Sequence, residues 1–164
     1  MRKTVFVLAL VLLFVVAFGF AQSTDKADVG AKIKQIASYL EKPGGPGSDG
    51  KIMFALLLEA ILQVAPQTGF PPEFVENMQK AKEIADSMSL FDPDGVIYLH
   101  KAYRLANSNQ DFQMPGSIKE IQDAVNYGRM VLATAAKKLR IGQPDECAKG
   151  LLEAAVMIVT PMYR

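Results

Sequence analysis

Tryptophan is absent from the 164-residue chain, which also has only one cysteine, Cys147, and one histidine, His100. A lone cysteine cannot form an internal disulfide, so the fold depends on its apolar core, and apolar neighbours predict that Cys147 is buried. One histidine and one cysteine are too few ligands for a zinc site, and no Cys-x-x-Cys-His motif is present to attach haem. We therefore expect no metal and no cofactor.

An excess of charge is also lacking, since 18 basic residues face 17 acidic ones. Without a basic patch, nucleic acid is not an expected partner. The absence of Gly-x-Ser-x-Gly and the single histidine leave little room for a hydrolase triad. Gly45–Lys51 nearly fits a phosphate-binding loop, but Ile52 replaces the residue that would bind Mg²⁺, and a helix precedes the loop. We expect a plain linker there.

The first 21 residues have the pattern of a secretory signal peptide. Arg2 and Lys3 precede an apolar run over 5–20, and Gly19 and Ala21 supply small residues for cleavage before Gln22. The alternative is an anchor helix that the cell retains. The signal peptide predicts a mature domain over residues 22–164, exported to the periplasm or outside the cell, with no stable membrane span.

Two apolar stretches predict the centre of the fold. They are Lys51–Pro66 and Gly150–Pro161, which share Leu-Leu-Glu-Ala and both end in proline. Apolar residues lie on every side of a helical projection of the first, so we expect a helix that is buried nearly all round. Its apolar part is shorter than the ~20 residues that a membrane-spanning helix needs.

Four further helices are predicted from apolar stripes at spacings of three and four, and no strand alternation occurs. The sequence therefore predicts one all-α domain, either a six-helix bundle or a short array of three αα-hairpins. The stripes are Val29, Ile33, Ile36 and Leu40; Phe74, Met78, Ala81, Ala85 and Met88; Val96, Leu99, Tyr103 and Ala106; and Ile118, Ile121, Val125, Gly128, Leu132 and Leu139.

Turn and cap residues separate these helices. Ser48 or Asp49 is expected to cap the second helix, and Ser117 with Glu120 to form a capping box on the fifth. Asp92–Gly95 is expected to start the fourth helix, and Asn107–Gly116 to form the longest loop. Short segments that recur in successive helix pairs, such as the shared Leu-Leu-Glu-Ala, also suggest an internal repeat of about 45 residues. The alternative is chance resemblance among amphipathic helices.

Glu59 and Glu153 stand within the two apolar stretches. A buried carboxylate must be paired, hydrogen-bonded or protonated. One interpretation places the two carboxylates together in the core as a functional pair. The other places each on a polar strip, where it reaches solvent or a basic side chain.

The fourth helix and the loop after it are the predicted binding face. Its residues are Tyr98, His100, Tyr103, Arg104 and Phe112, and tyrosine and arginine are frequent anchors of interfaces. The alternative is that Tyr103 and Phe112 only cap the core. We expect a non-catalytic protein that acts in interaction or assembly with an unidentified envelope protein. A carrier of a small apolar ligand or cofactor in the bundle interior is the alternative, and an enzyme is the third.

Overall fold

The computed structural model describes residues 26–42, 47–87 and 93–159, and its order of helices confirms the all-α prediction. No strand occurs in these ranges. The predicted signal peptide, the loop centre 43–46, Met88 and Asp92 lie outside them. The helices are α1, helical over 26–40; α2, Gly50–Val64; α3, Pro72–Ser87; α4, Pro93–Ala106; α5, Ile121–Arg140; and α6, Pro144–Val159. Turns of 3-10 helix at Gly47–Asp49 and Ala65–Gln67 flank α2.

Most residues of the predicted stripes are buried, although Val96, Tyr103 and Ile118 are half-buried and Ile121 is exposed. All four residues of the α1 stripe are buried, and so are Phe74, Met78, Ala81 and Ala85 of α3. No charged or polar residue is buried among the described residues. The interior is therefore held together by apolar contact, as expected for a chain without a disulfide.

Helix α6 lies at the centre of the described fold. It contacts α2, α4 and α5, and nine of its 16 residues are buried. Cys147 is among them with no exposed surface, which confirms the predicted burial. Helix α2 is less enclosed than predicted, because Ile52 in its first turn is 51% exposed.

The helices pair as predicted into an α3–α4 and an α5–α6 hairpin. Helix α2 contacts both α3 and α6, and α4 also contacts α6. In a linear array the first and third hairpins would be separated by the second. Direct contact between α2 and α6 therefore makes the fold a closed bundle rather than an open array.

Gly128 of α5 permits close helix contact, as predicted. A Cβ atom added there would lie 3.2 Å from Cε of Met157 on α6 and 3.6 Å from Cδ1 of Leu40 on α1. Gly150 plays the same part from α6, since its Cβ would lie 3.2 Å from that of Ala135. Glycine at these positions brings α1, α5 and α6 together.

One predicted cap was wrong, and of the two residues predicted to cap α2 only Asp49 has a described side chain. Helix α5 begins at Ile121, so the capping box is formed by Glu120 and Asp123 rather than by Ser117 and Glu120. As the first helical residue, Ile121 lies at the uncovered end of the helix and is 81% exposed, although its spacing predicted burial. Asp49 stands at the start of α2, but its carboxylate bonds to Lys42 instead of capping the helix.

The stretch Gly50–Gln67 has the length and composition of a membrane-crossing helix, with 18 residues and a mean hydropathy of 1.2. This stretch is longer than the apolar helix that the sequence predicted, because the 3-10 turn at Ala65–Gln67 continues α2. In the folded protein 44% of it is buried. A core helix of a bundle meets the same criterion, so composition alone does not make it a membrane span.

Candidate functional site

The structure divides the five predicted binding residues into two groups on opposite sides of α4. Leu99, Ala102 and Ala106 form the buried stripe of this helix. At 100° per residue, Tyr103 and His100 lie on one flank of the stripe and Tyr98 lies on the other. The residues that the sequence placed in one site therefore meet different neighbours.

The first group is a ring cluster formed by His100, Tyr103 and Phe112. The Tyr103 and Phe112 rings meet edge to face with centroids 5.4 Å apart, and His100 lies 6.5 Å from Phe112. Phe112 comes from the loop after α4, which folds back onto the helix. Tyr103 and Phe112 also pack against the core, as in the interpretation that these two rings cap it.

Glu153 and Tyr127 extend this cluster toward the centre of the bundle. The Tyr127 hydroxyl on α5 donates a hydrogen bond of 2.7 Å to Oε1 of Glu153 on α6. This bond, with smaller effects of burial and of nearby charge, raises the pKa of Tyr127 to about 12. The pKa of Tyr103 is also raised, by burial first and by the Glu153 carboxylate second. The cluster thus favours protonated tyrosines.

His100 is half-buried in the same cluster. Burial lowers its pKa because the charged imidazolium loses solvation, while the carboxylate of Asp111 acts in the opposite direction. The neutral ring is therefore the form that fits this position.

The second group lies on what we call the outer face of the α3–α4 hairpin: Lys80, Ile97, Tyr98, Lys101 and Arg104. The Lys80 Nζ atom lies 5.4 Å from the Tyr98 ring centroid, and the Lys101 Nζ atom lies 5.1 Å from it. Tyr98 is half-buried and packs against the core. One ring anchored in the hydrophobic core is thus flanked by two ammonium groups.

Ile97, Lys101 and Arg104 share one exposed stripe of α4, because they are four and three residues apart. Ile97 is 49% exposed and adds apolar area to this charged stripe. The Nε atom of Arg104 lies 3.4 Å from Oδ1 of Asp111 in an exposed ion pair. Such a pair contributes at most about 1 kcal/mol to stability.

The two core carboxylates, Glu59 and Glu153, do not form a functional pair. Glu59 faces Lys82 on α3, at 3.7 Å, whereas Glu153 faces Tyr127 on α5. The polar-strip interpretation was therefore right for Glu59. For Glu153 the partner is the Tyr127 phenol, which neither interpretation had named.

Sequence reasoning missed Lys80, Ile97 and Tyr127. Lys80 belongs to α3, and its approach to Tyr98 depends on the packing of two helices. Ile97 was detectable, because it falls outside the apolar stripe of α4. Tyr127 follows the stripe residue Val125 by two positions, so its place beside Glu153 depends on how α5 turns against α6.

Other features of the described residues offer little chemistry. No group of three histidine, cysteine, aspartate or glutamate side chains could hold a metal ion there. Burial raises the pKa of Cys147 to about 11, so this thiol stays protonated and unreactive. A depression of about 290 Å³ at one end of the bundle is open to solvent and is lined by Lys26, Pro66, Gln67, Leu139, Gly142 and Pro144.

Comparison with models of protein families, with curated proteins and with solved structures found no match for this chain.

Proposed function

We propose that this is an exported, non-catalytic protein that binds another protein of the periplasm or cell envelope through the outer face. The observation that carries the proposal is Ile97, a large aliphatic side chain that is half exposed on the same stripe of α4 as Lys101, which in turn lies against the Tyr98 ring. Exposed apolar area beside an aromatic anchor and arginine is typical of interfaces. Of the five predicted binding residues, the proposal keeps Tyr98 and Arg104. It adds Lys80, Ile97 and Lys101.

The remaining predicted residues support the face from within. His100, Tyr103 and Phe112 form the ring cluster, in which Phe112 lies against both other rings, and Tyr103 and Phe112 pack against the core. They hold α4 and its following loop in place, and Arg104 pairs with Asp111 of that loop. In this account the cluster positions the outer face and does not touch the partner.

A ligand carrier is less well supported than a binding protein. Side chains in the interior of the bundle, among them Leu57, Leu151 and Met78, have no surface exposed to solvent, so no open pocket reaches them. The described depression at the end of the bundle is open and lined by lysine and glutamine as well as apolar residues. A carrier of an apolar ligand usually encloses most of the ligand surface.

Capture of partners from the envelope fraction of the native host tests the proposal. The substitution Ile97→Ser should abolish capture while the fold is kept. Ile52→Ser is the matched control, because Ile52 is 51% exposed on a different helix. Equal capture by the two variants would contradict a role for the outer face, and a lipid or pigment released by organic extraction would favour the carrier.

Export is part of the proposal and has its own test. The predicted cleavage follows Ala21, so protein recovered from the native host should have the mass of residues 22–164. Recovery of the full-length chain from the membrane fraction would replace the signal peptide with an anchor helix.

A further inference from the structure

We infer that the partner is an acidic segment of a protein, which places two carboxylates on Lys80 and Lys101 and an apolar side chain on Ile97. This inference rests on the proposed function, since it names the chemistry that the outer face recognises. It follows from the charges around Tyr98 and from the number of cations on the face.

Lys80 and Lys101 lack carboxylate partners within the described residues. The ion pairs that α3 and α4 make there join Lys82 to Glu59 and Asp86, and Arg104 to Asp111. Lys82 is only two residues from Lys80 and has two carboxylates, one of them 2.6 Å away. On the same helix, Lys82 is therefore neutralised by carboxylates of α2 and α3, whereas Lys80, beside Tyr98, has no carboxylate partner among the described residues.

Within the described residues, the two ammonium groups share one aromatic ring. Both lie within 5.4 Å of the Tyr98 ring centroid, so their separation is less than twice that distance. Each is attracted to the negative face of the ring, and a carboxylate placed over this site would face both positive charges.

Tyr98 adds a directional donor to this site. Its ring packs against the core, which holds the hydroxyl in place at the edge of the outer face. A phenol that is already held in place loses little conformational entropy when it donates a hydrogen bond to a carboxylate.

The number of cations favours a protein over a lipid surface. Recognition of anionic membranes usually takes clusters of about four to eight lysine or arginine residues. The outer face has three, and Arg104 is already paired with Asp111. One exposed isoleucine is also a small apolar surface for insertion into a bilayer, but it is enough for one side chain of a partner.

The inference is tested by fluorescence anisotropy with a labelled peptide, Glu-Glu-Leu-Leu-Glu-Glu, that is blocked at both ends. The protein is purified from its native host, in the form that the host produces. The double variant Lys80→Glu/Lys101→Glu should weaken binding at least about tenfold, because close charge pairs are removed and repulsion is added. Lys80→Arg/Lys101→Arg should retain binding. Lys34→Glu/Lys137→Glu is the matched control, since it changes net charge equally at two other exposed lysines.

Three results would overturn the inference. Equal weakening by the two Glu double variants would reduce the effect to net charge. Binding to phosphatidylglycerol vesicles without binding to the peptide would assign the face to a membrane. If neither probe binds but Ile97→Ser still loses partner capture, the acidic partner is rejected and the proposed function stands. If Ile97→Ser captures partners as well as the parent protein does, the proposed function itself is rejected.

Discussion

Helices α6 and α4 are similar in length but differ in what surrounds them. Helix α6 buries nine of its 16 residues and contacts three other helices, whereas α4 buries three of its 14. Glu153, in the apolar part of α6, accepts a hydrogen bond from a neighbouring helix, whereas Ile97 and Lys101 of α4 face solvent. One helix therefore stabilises the bundle, and the other presents a surface.

This difference separates effects on stability from effects on binding. Changes in α6 should lower the free energy of unfolding, because they remove contacts with several helices at once. Changes on the exposed stripe of α4 should leave stability almost unaltered and act on the partner. The expected loss of stability therefore decreases from the centre of the bundle outward.

The largest loss is expected from Leu151→Ala, since this side chain has no exposed surface on the central helix. It should lower the free energy of unfolding by about 2–5 kcal/mol, measured from urea midpoints. Leu57→Ala on α2 should fall in the same range. Lys51→Ala, at an exposed position, should cost less than about 1 kcal/mol. A loss from Lys51→Ala as large as that from Leu151→Ala would contradict the account of the core.

A smaller loss is expected from Tyr127→Phe, which removes the hydrogen bond to Glu153. A bond from a phenol to a carboxylate contributes about 1–3 kcal/mol, and the half-exposed position favours the lower end. Tyr39→Phe on α1 provides the matched control, because the Tyr39 hydroxyl accepts only a 3.4 Å bond from Gln35 within its own helix. Equal losses in the two variants would argue against a link between α5 and α6 through Glu153.

Alkaline titration of Tyr127 gives a related effect. Its pKa is raised from 10.0 to about 12 in the folded protein, so the folded state holds this proton more tightly than the unfolded state. The resulting stability is complete below pH 10 and is lost as the pH rises toward 12. Phenolate absorbance near 295 nm should show a late-titrating tyrosine that Tyr127→Phe removes. Its persistence in that variant would assign the late titration to another tyrosine.

Protonation of His100 should weaken the ring cluster at acidic pH. Because burial lowers its pKa below 6.5, the contribution to stability is present above pH 6.5 and is lost as the pH falls through the folded pKa. The difference in melting temperature between the parent and His100→Gln should therefore change between pH 7 and pH 5. A difference that is constant over this range would show that the imidazole does not titrate differently on folding.

The smallest effect on stability is expected from Lys101→Glu on the outer face. Surface changes are usually within about 0.5 kcal/mol, and Lys101 makes no ion pair within the described residues. Lys82→Glu on α3 makes the contrast, because it breaks pairs with Glu59 and Asp86 and brings three acids together. Melting temperatures should fall for Lys82→Glu and stay nearly fixed for Lys101→Glu. The reverse order would contradict the division between paired and unpaired lysines.

Periodicity was enough to predict the helices and most of the core, because burial of Ile36, Phe74 and Leu132 depends on local spacing. It failed at Ile121, since spacing does not show where a helix begins. The candidate site was only partly predictable. Tyr98 and Arg104 stood out by type, but the approach of Lys80 to Tyr98 depends on contact between two helices.

Hydrogen exchange of the processed protein, with and without the acidic peptide, tests the difference between α6 and α4 most directly. Amides of α6 should exchange most slowly in both samples, because a central helix opens only in global unfolding. The peptide should slow exchange in α4 near Tyr98 and in α3 near Lys80, and leave α6 unchanged. Exchange in α6 as fast as in α4, or protection by the peptide only outside these two helices, would contradict the account.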